Sequence, residues 1–274
     1  MSLESATQSM LYHYTSEPGL TGILKEKKIW ATKLLDFKDE KELEFKVNAL
    51  KLFVSWFQER KQNGFGNPIW MSCLINLLNH QIYGKNSEDP PLFVVCFTKD
   101  GDSAFHWNEY GDNGKGFALG LSHEAVQEQF HLAKVIYKQD ELEVKFQELW
   151  NSFNSKQPSA EATLEFFNQL MATAIAYKDE EFSKELEYRC FATFPNDSGS
   201  NSMANVRSRN NGDRSISFML WPDEDLDPGL VLEIVLGPKN TLTGSIVSEM
   251  LTDAFGDQNQ VKVSSSILGS PEVG

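Results

Sequence analysis

The feature of this sequence that most constrains its fold is the irregular order in which strand-like and helix-like segments follow one another. A continuous apolar run, PLFVVCFT, has the length and the β-branched and aromatic content of a buried central strand. Other strand-like runs precede and follow it, but the helical patterns between them keep no βαβ rhythm. No glycine-rich turn of the dinucleotide-binding or P-loop type joins a strand to a helix, which disfavours a Rossmann or P-loop protein. The sequence therefore predicts an α+β fold.

The strand predictions rest on short runs rich in β-branched, aromatic or alternating residues. Besides PLFVVCFT, they are LYHYT, IWATKLL, FALGLS, an edge strand VIYKQ, LEYRCFA, SISFMLWP and LVLEIVLGP. In LEYRCFA, alternation predicts that Glu187 and Arg189 face away from Tyr188 and Cys190.

The helix predictions rest on apolar residues that recur every three or four positions. A short helix in GLTGILKEKK is predicted to begin near Ser16 and Pro18. A longer helix over 39–62 is predicted to face the core through Leu43, Val47, Leu50, Val54 and Phe57. Further helices are predicted over 68–83, 141–153 and 160–177, and DGDSAFHWNEYGDNGKG is predicted to be a loop.

The length and composition favour one elaborated domain. The chain has 274 residues, of which 41% are apolar, including 19 Phe and 6 Trp, and these supply enough material for a large core. We predict a single domain over 1–274, with its core at about 11–262, helical insertions at about 40–84 and 141–177, and a flexible loop at about 196–214.

The formal charge of −14 is spread along the chain and disfavours non-specific binding of nucleic acid. Cys73, Cys96 and Cys190 are odd in number and lie in apolar surroundings, which indicates buried thiols and a reducing compartment. No signal-peptide pattern and no apolar run of transmembrane length is present. The sequence therefore predicts a cytoplasmic protein with no membrane partner.

Three places carry side chains suited to chemistry. They are His13 in the first predicted strand, Trp107 and Tyr110 in a polar loop, and Glu187 in a late strand between Glu185 and Arg189. Each also has a structural interpretation: a hydrogen-bonded core histidine, aromatic residues that plug a core, and an ion-pair ladder. The histidine spacings suggest no metal site, and no G-x-S-x-G elbow is present.

The order of these pieces resembles the bacterial and phage-associated family called domain of unknown function 2971. The pieces that carry the resemblance are LYHYTSEPGLTGILKEKKIWAT, VVCFT, WNEYGDNGKGFALGL, VIY, KDEEFSKELEYR and EIVLGP, in that order. Members of this family in turn resemble the ADP-ribosyltransferase superfamily. The resemblance implies an ADP-ribosyltransferase-like split, mostly antiparallel β-sheet.

The more distant resemblance also implies roles for individual residues. His13 would hold the ribose of NAD, Tyr110 or Trp107 would stack on nicotinamide, and Glu187 would engage the ribose hydroxyl. The remaining residues implied to bind NAD are neighbours of these: Tyr14, Thr15 and Arg189. Of the residues in 196–214, Arg207, Arg209 or Arg214 could serve a pyrophosphate, although a surface loop is the alternative interpretation.

The expected function is therefore NAD-dependent ADP-ribosyl transfer to a macromolecular acceptor, as a toxin or an antiphage effector. One alternative is a non-catalytic module of the same fold that binds a nucleotide or a protein. A second is a glycoside hydrolase that uses Glu185 and Glu187, which lie about 7 Å apart if they share one face of a strand. The sequence leaves the acceptor and the oligomeric state open.

Overall fold

The computed structural model describes residues 9–37, 41–61, 75–76, 78–79, 92–129, 132–157, 159–192, 206–211, 214–221, 226 and 228–269. Contacts divide the chain into two compact units. The sheet unit consists of residues 1–32, 93–132 and 185–274, and the helical unit consists of residues 33–92 and 133–184. The helical unit is thus made of two separate segments of the chain. This partition does not test whether the chain is one domain, which stays a prediction.

Strands form a mixed, mostly antiparallel sheet, which confirms the α+β fold. Their bounds are β1 Met10–Thr15, β2 Ile29–Lys33, β3 Phe93–Thr98, β4 Phe117–Ser122, β5 Leu132–Lys134, β6 Glu187–Ala192, β7 Val206–Asn211, β8 Arg214–Trp221, β9 Val231–Leu236 and β10 Lys262–Ser265. The order is β10-β9-β4-β1-β3-β2-β8-β7, with β6 beside β3 and β5 beside β6. Strands β9 and β10 pair in parallel.

The sheet branches at β3. Strand β6 pairs with β3 along its whole length, from Phe93 opposite Ala192 to Thr98 opposite Glu187. Strand β1 pairs with β3 at Tyr12 and Thr98, and β2 is also a neighbour of β3. Because a strand has only two hydrogen-bonding edges, β1 and β2 must share the edge opposite β6. The sheet is therefore split between β1 and β2.

One face of the branched sheet carries the core of the sheet unit. Alternate residues of β3 and β6 join this core, which also includes the apolar faces of α1 (Glu17–Glu26) and α7 (Gly244–Phe255). Its members from β3 and β6 are Phe93, Val95, Phe97, Tyr188 and Cys190. Strand alternation then directs Cys96, Thr98, Glu187 and Arg189 to the opposite face, as predicted for β6. Helix α1 begins at Ser16, whose side chain accepts a hydrogen bond from the Gly19 amide.

The helical unit is built from α2 Lys41–Lys61, α5 Gln139–Asn154 and α6 Ala160–Ile175. These helices bury a cluster of aromatic rings in which Phe53 lies within 5.2 to 6.1 Å of its ring neighbours. Two further helices, α3 Ala104–Glu109 and α4 His123–Gln129, belong to the sheet unit. In the described part of the chain, no helix combines the length and the apolar character that crossing a membrane requires.

Several local predictions are wrong. VIYKQ does not form a strand, because β5 lies earlier in the chain and only Ile136 makes an isolated bridge, to Tyr177. The predicted loop at 196–214 contains β7, whose polar residues are stabilised by pairing with β8; the rest of that loop before Arg214 lies outside the described residues. The segment from Asp100 to Gly116, predicted as a loop, contains α3.

The prediction of α2 is confirmed, but its buried face differs. Leu43, Val47 and Val54 are only half-buried, because the helix turns an aromatic stripe towards the core instead. That stripe contains Phe45, Phe53, Trp56 and Phe57. The predicted helix at 68–83 lies outside the described residues except at 75–76 and 78–79, which are helical.

Candidate functional site

His13 lies in β1 at the split in the sheet. Its Nδ1 is 2.9 Å from the carbonyl oxygen of Cys96 in β3, so that nitrogen carries the proton and donates it. The lone pair of the neutral ring is then on Nε2. Burial lowers the pKa of His13, with a smaller contribution from the positive charge of Arg209, while the bond to Cys96 acts in the opposite direction. A neutral histidine of fixed tautomer therefore joins β1 to β3 beside the split.

Glu187 and Arg189 form a buried pair on β6, on the sheet face opposite the core. The guanidinium donates from Nε and from one terminal nitrogen to the two carboxylate oxygens, at 2.9 and 3.0 Å. Both side chains are nearly inaccessible to water. Glu187 lies opposite Thr98, which lies opposite Tyr12, so β1 and β6 are two strand spacings, about 10 Å, apart at this level. His13 follows Tyr12, and its ring contacts Phe97 on the other face of the sheet.

Tyr110 and Glu185 form a second polar pair. The Tyr110 hydroxyl donates to Glu185 Oε1 at 2.9 Å. Burial raises the pKa of Tyr110 most, and the negative charge of Glu185 raises it further. The carboxyl-bearing Glu185 is buried, whereas 49% of Tyr110 is exposed. Tyr110 thus presents an aromatic surface to solvent while its hydroxyl is anchored on a buried carboxylate.

His106 fixes the backbone of the same segment. Its Nε2 donates to the carbonyl oxygen of Glu185 at 3.1 Å, and its Nδ1 is buried without a hydrogen-bond partner among the described residues. Burial lowers the pKa of His106, which favours the neutral ring. Leu186, between the two glutamates, has a φ of 46°, a value that costs a side-chain-bearing residue about 1 to 3 kcal/mol. The bond from His106 therefore supports a strained link between Glu185 and Glu187.

Trp107 and Tyr14 are core residues. Trp107 is 1% exposed, and its indole nitrogen donates to Asp102 Oδ1 at 2.7 Å. The ring of Tyr14 meets that of Trp107 edge-to-face at 4.7 Å, and its hydroxyl donates to the Asp100 carbonyl at 2.9 Å. Both side chains thus hold the segment that follows β3. Of the two aromatic candidates for stacking on a ligand, Tyr110 is the one with an exposed ring.

The structure brings together some of the predicted residues. Glu187 contacts Arg189, and Tyr14 contacts Trp107. Thr15 ends β1 opposite Phe117 and is half-buried. No described contact joins His13 to Glu187 or Tyr110, so the assignment of all three to one NAD site stays a prediction.

The main residue that the sequence reasoning missed is His106, and Glu185 was not among the predicted NAD-site residues. His106 and Tyr110 are four positions apart, a spacing that places two residues on the same side of a helix. That signal was hidden because the segment was predicted to be a loop. Among the described residues, no group of three or more His, Cys, Asp or Glu side chains is arranged to hold a metal ion.

The comparisons with known proteins agree with one part of the resemblance. Residues 106–190 match the family model described as "Protein of unknown function (DUF2971)". The matched segment begins at His106 and includes Tyr110, Glu185, Glu187 and Arg189, but it does not reach His13. No curated protein and no solved structure matches the chain. The predicted likeness to this family is confirmed, and the more distant likeness to ADP-ribosyltransferases stays a prediction.

Proposed function

We propose that the protein cleaves the bond between nicotinamide and ribose in NAD and transfers ADP-ribose to a macromolecular acceptor. The reaction would take place around β3, with His13 in the strand on one edge of β3 and the segment from Glu185 to Glu187 at the start of the strand on its other edge. The observation that carries the proposal is the buried carboxylate of Glu187, which Arg189 holds in position at 2.9 and 3.0 Å on a strand two spacings from the strand of His13.

Cleavage of this bond requires a group that stabilises positive charge on the ribose. When the glycosidic bond breaks, its electron pair leaves with nicotinamide and the ribose becomes positively charged at its anomeric carbon. A carboxylate such as that of Glu187 stabilises this charge and accepts a hydrogen bond from a ribose hydroxyl. The acceptor then forms a bond to the anomeric carbon and loses its proton to a base.

The remaining residues of the site suit supporting roles. The lone pair on His13 Nε2 can accept a hydrogen bond from a ribose hydroxyl. The exposed ring of Tyr110 offers a flat surface for nicotinamide, and its hydroxyl is fixed by Glu185. Arg189 holds both oxygens of Glu187, which limits the orientations open to that carboxylate.

The first experiment measures nicotinamide release from NAD by the purified protein, with and without cell extract as a source of acceptor. Glu187→Gln and His13→Ala are expected to abolish release. Glu233→Gln is the matched control, because Glu233 is also a buried carboxylate of the sheet unit, bonded to Lys262 at 2.7 Å. Labelled ADP-ribose on a macromolecule would distinguish transfer from hydrolysis. Absence of both release and NAD binding in the wild type would contradict the proposal.

A non-catalytic nucleotide-binding module is the second candidate. The observation that favours it is the complete engagement of the Glu187 carboxylate, since both of its oxygens already accept hydrogen bonds from Arg189. A carboxylate held in this way can be purely structural. Binding of NAD in calorimetry without any release of nicotinamide would select this function over the transferase.

A further inference from the structure

Arg209 on β7 lies on an aromatic platform. Its guanidinium carbon is 5.2 Å from the ring centroid of Trp30 and 5.9 Å from that of Phe218. The two rings are stacked, with centroids 4.6 Å apart and planes inclined by 25°. Trp30 belongs to β2 and Phe218 to β8, so the platform lies on the part of the sheet beyond the split. Cation–π contacts of this kind fix the position of a guanidinium.

The guanidinium has no counter-ion within the described ranges of the chain. No described carboxylate pairs with it and no described group makes a hydrogen bond to it, in a chain of 39 acidic and 25 basic residues. Its neighbour on the same face of β7, Arg207, does have a partner: it donates to Glu26 at 3.0 Å. In so acidic a protein, an arginine that contacts two rings but no described carboxylate has N–H donors available to bind a ligand.

The platform lies near the proposed site. Strand β2, which carries Trp30, lies on the same edge of β3 as β1, which carries His13. Trp30 Nε1 is a buried donor with no hydrogen-bond partner among the described residues. The positive charge of Arg209 makes a small contribution to the lowered pKa of His13. Gly22 of α1 contacts the same indole so closely that a Cβ atom there would overlap the ring. The guanidinium, the indole and His13 thus belong to one neighbourhood on the β1–β2 side of the split.

We propose that Arg209, held on the rings of Trp30 and Phe218, is an anion-binding residue that receives a phosphate group of a phosphorylated ligand. Five N–H donors on a planar, always charged group match the oxygens of a phosphate. The identity of the ligand rests on the proposed function: if the protein uses NAD, the group bound is the pyrophosphate. The anion site itself does not depend on that reaction.

Calorimetry tests the site with four probes: NAD, ADP-ribose, inorganic pyrophosphate and nicotinamide riboside, which has no phosphate. Arg209→Gln is expected to weaken binding of the three phosphorylated probes by about 10-fold to 100-fold, as the loss of charge-assisted hydrogen bonds implies. It should leave nicotinamide riboside unaffected. Arg209→Lys keeps the charge but loses the planar fork, so it should recover only part of the affinity.

Arg207→Gln is the matched control, because it removes an arginine two positions away that is already paired and exposed. The affinity of the Arg207→Gln protein for ADP-ribose should stay within about twofold of that of the wild type. Circular dichroism of all variants would show whether each one is folded.

Two results would overturn the site: wild-type protein that binds neither ADP-ribose nor pyrophosphate, or Arg209→Gln protein that binds them as the wild type does. Failure of the transferase function gives a different pattern. In that case nicotinamide release is absent, but pyrophosphate binding remains and still depends on Arg209.

Discussion

The sheet unit and the helical unit bury different kinds of side chains. In the helical unit, aromatic rings from three helices pack against one another, and Lys178 with Glu42 forms the buried ion pair found among its described residues. The sheet unit buries several ionisable groups around β3, β4 and β6: His106, Glu185, Glu187, Arg189 and Glu233. Burying such groups costs free energy unless each is satisfied, so they concentrate where a protein performs chemistry. We therefore expect the helical unit mainly to supply stability and the sheet unit to carry the proposed site.

The largest effect is expected when an aromatic ring is removed from the helical unit. Phe53 is 1% exposed and contacts several rings, so Phe53→Ala should lower the free energy of unfolding by about 3 to 5 kcal/mol through lost burial and a cavity. Urea denaturation measures this change. Nicotinamide release per folded molecule should stay unchanged. A lower rate in protein that is still fully folded would contradict the assignment of a structural role to this unit.

A comparable loss is expected when one partner of the buried ion pair in the sheet unit is removed. Arg189→Met leaves the Glu187 carboxylate without its guanidinium and should cost about 3 to 5 kcal/mol. The double variant Glu187→Gln/Arg189→Met removes both charges and should recover much of that stability but no nicotinamide release. Thermal unfolding and the release assay together test this. If the double variant releases nicotinamide normally, the pair is structural and the two units do not differ in the way proposed.

The next effect concerns pH. Burial lowers the pKa of His106 from its ordinary value of 6.5, so the unfolded chain binds this proton more readily than the folded one. The stability that the neutral ring allows is therefore complete above pH 6.5, and it is lost as the pH falls from 6.5 towards the lower folded-state pKa. His106→Gln should reduce the slope of unfolding free energy against pH in that window. An unchanged slope would show that other groups determine it.

The smallest loss of stability is expected when either of two tyrosines that donate to buried carboxylates loses its hydroxyl. Tyr110→Phe and Tyr12→Phe each remove one such hydrogen bond, to Glu185 and Glu233 respectively, and each should cost about 0.5 to 1.5 kcal/mol. Only Tyr110 belongs to the proposed site, so only Tyr110→Phe should slow nicotinamide release. Equal rates for the two variants would remove Tyr110 from the site.

The sequence predicted most of the strands near the site because their side chains alternate or form continuous apolar runs. PLFVVCFT and LEYRCFA became β3 and β6, and the alternation correctly separated Glu187 and Arg189 from Tyr188 and Cys190. These patterns record burial, which is a local property of each position. The resemblance implied a split sheet, but the position of the branch between β1 and β2 was not predicted, because it depends on which strands share an edge of β3.

Local sequence patterns did not predict three other features of the fold. Strand β7, VRSRNN, has few apolar residues because it lies at the end of the sheet order and is stabilised by hydrogen bonds to β8. Helix α7 was not predicted at all, although its Val247 and Leu251 are buried. The bond from His106 to Glu185 joins residues that are far apart in sequence, and only the folded chain brings them together.

The pairing of strands that are distant in the chain has a consequence for the order of folding. Strands β1 and β4 pair across residues 16–116, whereas α5 and α6 are joined by residues 155–159 alone. Closing a long loop costs more chain entropy than closing a short one, and non-local pairing slows folding. We expect the α5–α6 hairpin to gain protection first and β1 last in pulsed hydrogen exchange. His13 would then meet the Cys96 carbonyl only in the final stage, so the proposed site would form only after almost all of a newly made chain has folded.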